Sequence, residues 1–80
     1  MESRSTNTIA LKKIMIDQGL ERIIELSNAS GISRNTLSNV LNGKSQPSAD
    51  VMGKLIATLK MQPSRAGEIF FDSNLHNAQV

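Results

Sequence analysis

The sequence predicts an all-α fold built from five short helices, and three observations carry that prediction. Apolar residues recur at three- and four-residue spacing in successive segments: Leu11, Ile14 and Met15, then Ile23 and Leu26, then Leu37, Val40 and Leu41, then Val51, Met52, Leu55, Ile56 and Leu59. Residues that stop and start helices stand between those segments. Gly19, Gly31 and Asn42-Gly43 suit helix ends, while Ser33, Ser48 and Pro63 suit helix starts. The third observation is size: 80 residues with no Cys support one modest core and no disulfide framework.

Segment 1–7 is polar and reads as a flexible N-terminal arm, because residues 1–6 carry no apolar anchor. From Asn7 or Thr8 to Gln18, the spacing of Leu11, Ile14 and Met15 fits an amphipathic helix that turns Lys12, Lys13 and Asp17 to solvent, and Gly19 ends it. Lys12 and Lys13 read as a solvated face before they read as phosphate contacts. A second helix is expected to begin near Leu20 or Glu21 and to run to Ser30, with Ile23, Leu26 and Ser27 inward and Glu21 and Glu25 outward. Gly31 fits the position just past its end, where the backbone favours positive φ. The third helix is expected over 33–41, with the Ser33 hydroxyl capping its first free N–H groups. Ser48 caps a fourth, running from Ala49 to Leu59 or Lys60, with Asp50 favourably placed in its first turn. Pro63 belongs in the first turn of a fifth, with Ser64 near its start and Ile69 and Phe70 at its end. Successive helical residues point about 100° apart, so Phe70 and Phe71 cannot both face one core. One of them needs another partner. The domain is therefore expected over 8–71, followed by an Asn-rich tail over 72–80.

The chain is organised around 26–44. With Leu37, Val40 and Leu41 turned inward, the third helix leaves Arg34, Asn35, Ser38 and Asn39 on its other side. Arg matches the two acceptors on the major-groove edge of guanine, and Asn matches the acceptor and donor of adenine. The loop after it, 42–48, offers an amide, a flexible backbone expected to carry free N–H groups, and the ammonium of Lys44.

In Leu26, Ser27, Gly31, Ile32, Ser33, Leu37, Val40, Asn42, Gly43 and Lys44 the stretch resembles the helix-turn-helix of the Cro/CI repressor family, also called the XRE family. Met61-Gln62-Pro63-Ser64, followed by Glu68-Ile69-Phe70-Phe71, resembles the fifth helix of its short phage-type members, so the resemblance covers roughly 8–71. It implies a compact five-helix lambda-repressor-like DNA-binding domain with the helix-turn-helix in helices two and three. It further implies that 33–41 is the recognition helix, with Arg34, Asn35 and Asn39 foremost at base edges and the shorter Thr36 and Ser38 beside them. The phosphate-contacting set it implies is Ser33, Asn42, Gly43 and Lys44, and Arg22 is expected to join it in place of a contact that Ile23 cannot make. Three departures stand out: Ser27 replaces the usual Ala where the two helices cross, Ile23 replaces a Gln that often touches phosphate, and Leu41 stands where an acidic residue is common.

The expected function is that of a sequence-specific regulator of transcription, a phage- or prophage-type repressor that occupies an operator in double-stranded DNA. A two-fold dimer places two recognition helices about 34 to 36 Å apart on one side of the duplex. Phe71 and Leu75, with Val80, are the candidate interface for such a homodimer. The alternative is an antitoxin-like protein-interaction module of the same fold, masking a partner through Ile24, Leu41 and C-terminal residues, with DNA binding secondary. Arg34, Asn35, Asn39 and Lys44 gathered on one side favour the regulator, since a module that had abandoned DNA has no use for them.

Other classes find little support. A net charge of +2 permits nucleic-acid binding without demanding it. The sequence holds no paired carboxylates in a likely cleft, no nucleophile beside a base and no phosphate loop, so no enzyme is expected. The single His76 and the absence of Cys leave no zinc site, and neither a cofactor nor a small-molecule ligand is expected. No apolar run approaches the roughly 18 residues that span a bilayer, and the polar start is not a signal sequence. The expected location is the cytoplasm of a bacterial cell or phage-infected host, away from membranes.

Overall fold

A computed structural model of the protein describes residues 6–72. It holds five α-helices and no β-strand among these residues: α1 Thr8–Asp17, α2 Ile23–Ser30, α3 Arg34–Leu41, α4 Ala49–Thr58 and α5 Pro63–Phe70. Residues 1–5 of the expected arm and 73–80 of the tail, with Leu75, His76 and Val80, lie outside the described residues.

Side-chain caps set most of the helix starts. Asn7 Oδ1 accepts from the Ala10 N–H at 3.1 Å to open α1, Ser33 Oγ accepts from Thr36 N–H at 3.2 Å for α3, and Ser48 Oγ accepts from Val51 N–H at 3.2 Å for α4. Each satisfies one of the donors that a helix start leaves without an intrahelical partner. Pro63 occupies the first turn of α5, as its fixed φ favours.

The start of α2 corrects the expectation of Leu20 or Glu21. The Leu20 N–H donates to Met15 O at 2.8 Å, so Leu20 closes α1 and cannot open the next helix. Arg22 is extended, with φ −93° and ψ 143°, and its N–H donates to Glu25 Oε1 at 3.3 Å. The first helical residue is Ile23.

The helices enclose one core of Leu11, Met15, Leu26, Ile32, Leu37, Val40, Leu41, Leu55, Leu59, Met61, Ala66, Ile69 and Phe70. Within it α2 packs on α3 and α4, α1 lies against α3 and α5, and α4 meets α5. Ile14, Ile23, Val51, Met52 and Ile56 are half-buried at its edge. Phe70 is 1% exposed and Phe71 is 46% exposed, the division that helical geometry requires of adjacent positions.

Thr6 and Asn7 depart from the flexible-arm reading. Thr6 is buried, and its Oγ1 donates to Gln46 Oε1 at 3.0 Å. Asn7 donates its backbone N–H to Ile69 O at 2.7 Å and its Nδ2 to Asp72 Oδ2 at 2.9 Å. Gln46 in turn donates from Nε2 to Phe70 O. The start of α1, the loop between α3 and α4, and the end of α5 are thus joined by a chain of polar contacts, which neighbours the buried Pro47. That clasp holds the loop following α3 to the rest of the domain.

Candidate nucleic-acid interface

The site is built on the turn between α2 and α3. Gly31 adopts φ +79° and ψ 12°, a left-handed conformation that costs other residues strain, and its N–H donates to Ser27 O at 2.9 Å. Ser27 is more than a small filler: its hydroxyl donates to Ile32 O at 2.5 Å, reaching across the turn from one helix to the entry of the next. Ile32 N–H donates to Ser30 Oγ at 3.2 Å, and the Ile32 side chain is buried. These contacts fix the angle at which α3 leaves α2.

Leu37, Val40 and Leu41 anchor α3 to the core, while Arg34 and Asn35 stand exposed and Thr36, Ser38 and Asn39 half-buried. Among the described residues the ion pairs are Lys54 with Asp50 and Arg65 with Glu68, each at 3.1 Å and both on α4 and α5. Arg22, Arg34 and Lys44, all exposed, take part in neither. The cations around the helix-turn-helix therefore keep their charge available, whereas those on α4 and α5 have an acidic neighbour.

Hydrogen bonds divide the expected contact residues. Ser33 Oγ accepts from Thr36 N–H at 3.2 Å and pairs with Thr36 Oγ1 at 2.9 Å. Ser33 therefore caps α3, and the two hydroxyls keep one proton between them for an outward partner. Asn42 Nδ2 donates to Ser38 Oγ at 3.2 Å, leaving the Ser38 proton and the second amide hydrogen of Asn42 to face outward partners.

The loop after α3 corrects another expectation. Its backbone N–H groups are not free: Asn42 donates to Ser38 O at 2.9 Å, Gly43 to Val40 O at 3.1 Å, and Lys44 and Ser45 to Asn39 O at 2.8 and 3.3 Å. All four close the end of α3, with Gly43 at φ +73° making the turn. Gly43 thus contributes conformation rather than a donor. What the loop presents is side chains, with Asn42 and Lys44 exposed among them.

Two further placements bear on the surface. Leu41 is only 5% exposed, so it belongs to the core and offers no patch to a partner protein, contrary to the alternative that grouped it with Ile24. Ile24 itself is 49% exposed, and Ile23 is half-buried against the core. A groove of about 300 Å³ lies between α1 and the end of α3, lined by Lys12, Glu21 and Asn42 over Met15, Ile16, Ile23 and Leu41. Lys12 is therefore placed beside the loop after α3, and Lys13 is not among the groove residues. Among the described residues no group of three or more His, Cys, Asp or Glu could hold a metal ion, and no helix is long and apolar enough to cross a membrane.

The polar clasp through Thr6 and Gln46, and the capture of the loop N–H groups by α3, escaped sequence reasoning. The clasp depends on which segments meet in space, whereas the capture is local and follows from the helix end that Asn42-Gly43 marks.

Comparison with known proteins bears on this same region. Residues 11–65, from the middle of α1 into the first turn of α5, match the family described as Helix-turn-helix. No curated protein and no solved structure matches the chain.

Proposed function

We propose, from the premise that the chain belongs to the helix-turn-helix family of Cro/CI (XRE) type, that it is a phage-type repressor reading an operator in the major groove with α3. Family membership makes it a DNA-binding transcription regulator. The observation that carries the finer reading is the outward side of α3, where exposed Arg34 and Asn35 adjoin Thr36, Ser38 and Asn39 and the nearby cations are unpaired.

In this reading Arg34, Asn35 and Asn39 meet base edges, with Thr36 and Ser38 at shorter range. Lys44 and the side chain of Asn42 hold one stretch of sugar-phosphate backbone, and Arg22 at the start of α2 approaches another. Those contacts carry no sequence information but fix how α3 sits in the groove. The Gln46 clasp supports this division, because it restrains the loop that bears Lys44. Two protomers joined near Phe71 present two copies of α3 to one side of the duplex, and occupation of the site excludes the polymerase. The working location is the bacterial cytoplasm, where such an operator lies.

Selection of bound sites from a random duplex pool at two salt concentrations tests the reading. Enrichment of a palindrome with half-sites one helical turn apart is the expected result. Weak binding without enrichment, vanishing at the higher salt, overturns it in favour of a partner-protein role.

A further inference from the structure

The chain has seven Asn residues, and only Asn42 is followed by Gly; the others precede Thr, Ala, Thr, Val, Leu and Ala in order. We infer that Asn42 is a site of spontaneous deamidation, and that the carboxylate it leaves beside Lys44 turns off the DNA-binding surface. The second half rests on the functional reading above; the first does not.

The step needs no reagent beyond water. The Gly43 backbone nitrogen attacks Asn42 Cγ, forming an N–Cγ bond as the Cγ–Nδ2 bond breaks. Nδ2 leaves as ammonia, taking up the proton lost from the Gly43 amide, and a five-membered succinimide remains. Water then adds to one of its two carbonyls and opens the ring, giving aspartate or isoaspartate. One water enters, one ammonia departs, and nothing is oxidised or reduced. Asn is among the thermally labile side chains.

The local structure admits this chemistry and also governs it. Asn42 is exposed to water at the end of α3. Gly43 has no side chain to crowd the ring, and a Cβ built there meets nothing within 4 Å. Two hydrogen bonds hold the reacting atoms in place: Gly43 N–H to Val40 O at 3.1 Å and Asn42 Nδ2 to Ser38 Oγ at 3.2 Å. Both belong to the last turn of a helix, where opening costs little free energy. The rate therefore follows the fraying of that turn, and Ser38 is the side chain that slows it.

The product acts in two ways. A carboxylate at the C-terminal end of α3 faces the negative end of the helix dipole and loosens the turn. It also sets a negative charge against the phosphate that Lys44 attracts. Isoaspartate further lengthens the main chain by a methylene group between Asn42 and Gly43, displacing Lys44. Conversely, DNA held against Asn42 and Lys44 keeps the turn closed, so bound protein ages more slowly than free protein.

The full chain, held free and with duplex DNA at one pH and temperature, is sampled over time for released ammonia and for isoaspartate by peptide mapping. Loss at Asn42 several-fold faster than at Asn28, Asn35 or Asn39 is expected, faster still in Ser38→Ala and slower with DNA present. Equal loss at all positions, or an intact Asn42, overturns the site. The Asn42→Asp variant and the chromatographically isolated product should bind DNA more weakly than the intact chain. Unchanged affinity, where the intact chain binds in a salt-sensitive way, overturns the switch. An intact chain that never binds DNA overturns the functional reading and the switch with it, an outcome recognised separately because amide loss is read by mass without DNA.

Discussion

Arg34 and Lys44 are both unpaired cations near α3, and the proposed reading gives them different tasks. Arg34 lies in the first turn of α3, on a rigid element anchored by Leu37, Val40 and Leu41, where a planar guanidinium can meet two acceptors of one base. Lys44 lies in the loop and presents a compact point charge, which suits phosphate at any sequence. Arg34→Ala or Asn35→Ala is expected to cost about 1 to 3 kcal/mol on the selected operator while leaving random DNA nearly unaffected. Lys44→Ala should weaken both and reduce the slope of log affinity against log salt by about 1. Titrations on operator and random duplex across a salt series measure the two effects, and equal losses for all three variants would remove the division of roles.

At the scale of elements, α3 is short and depends on its ends. Ser33 caps one, and Asn42 through Ser45 wrap the other, so that a helix of eight residues holds its register without help from its own length. Leu41 completes its inner face. An acidic residue there would set a carboxylate against Met15 and Ile23, in a groove that Lys12 and Glu21 also line. Leu41→Glu is therefore expected to destabilise the domain by about 2 to 5 kcal/mol, since it removes a buried apolar side chain and puts a charge in its place. Thermal or denaturant unfolding checks this, and a loss below 1 kcal/mol would place the side chain outside the core.

The described residues are held by one core and one polar clasp, and the two aromatic residues of the chain are split between inside and outside. Phe70 fills the core, so Phe70→Ala should cost about 3 to 5 kcal/mol of stability. Phe71 lines a groove beside Ala10, Gly67 and Asp72, between the start of α1 and the end of α5. Phe71→Glu is expected to leave the melting temperature nearly unchanged and to shift sedimentation toward the monomer, with specific affinity falling as the second recognition helix is lost. Unchanged sedimentation with a lowered melting temperature would assign Phe71 to the core instead.

Leu11, Leu26, Leu37 and Leu55 were legible as interior from their spacing alone, and Ser33, Ser48, Gly31 and Pro63 marked helix boundaries correctly, because caps, glycine turns and apolar periodicity are local properties of the chain. The family was legible for the same reason, since its motif is a contiguous run. Tertiary structure decided the rest. Thr6 met Gln46 across forty positions of sequence, Gln46 met the carbonyl of Phe70, and Asn7 met Ile69 and Asp72. Leu41 could be read either as core or as surface until α1 was placed beside it. Hydrogen bonds between distant segments, and burial at the edge of a core, depend on where elements come to rest against one another, and no local pattern encodes that.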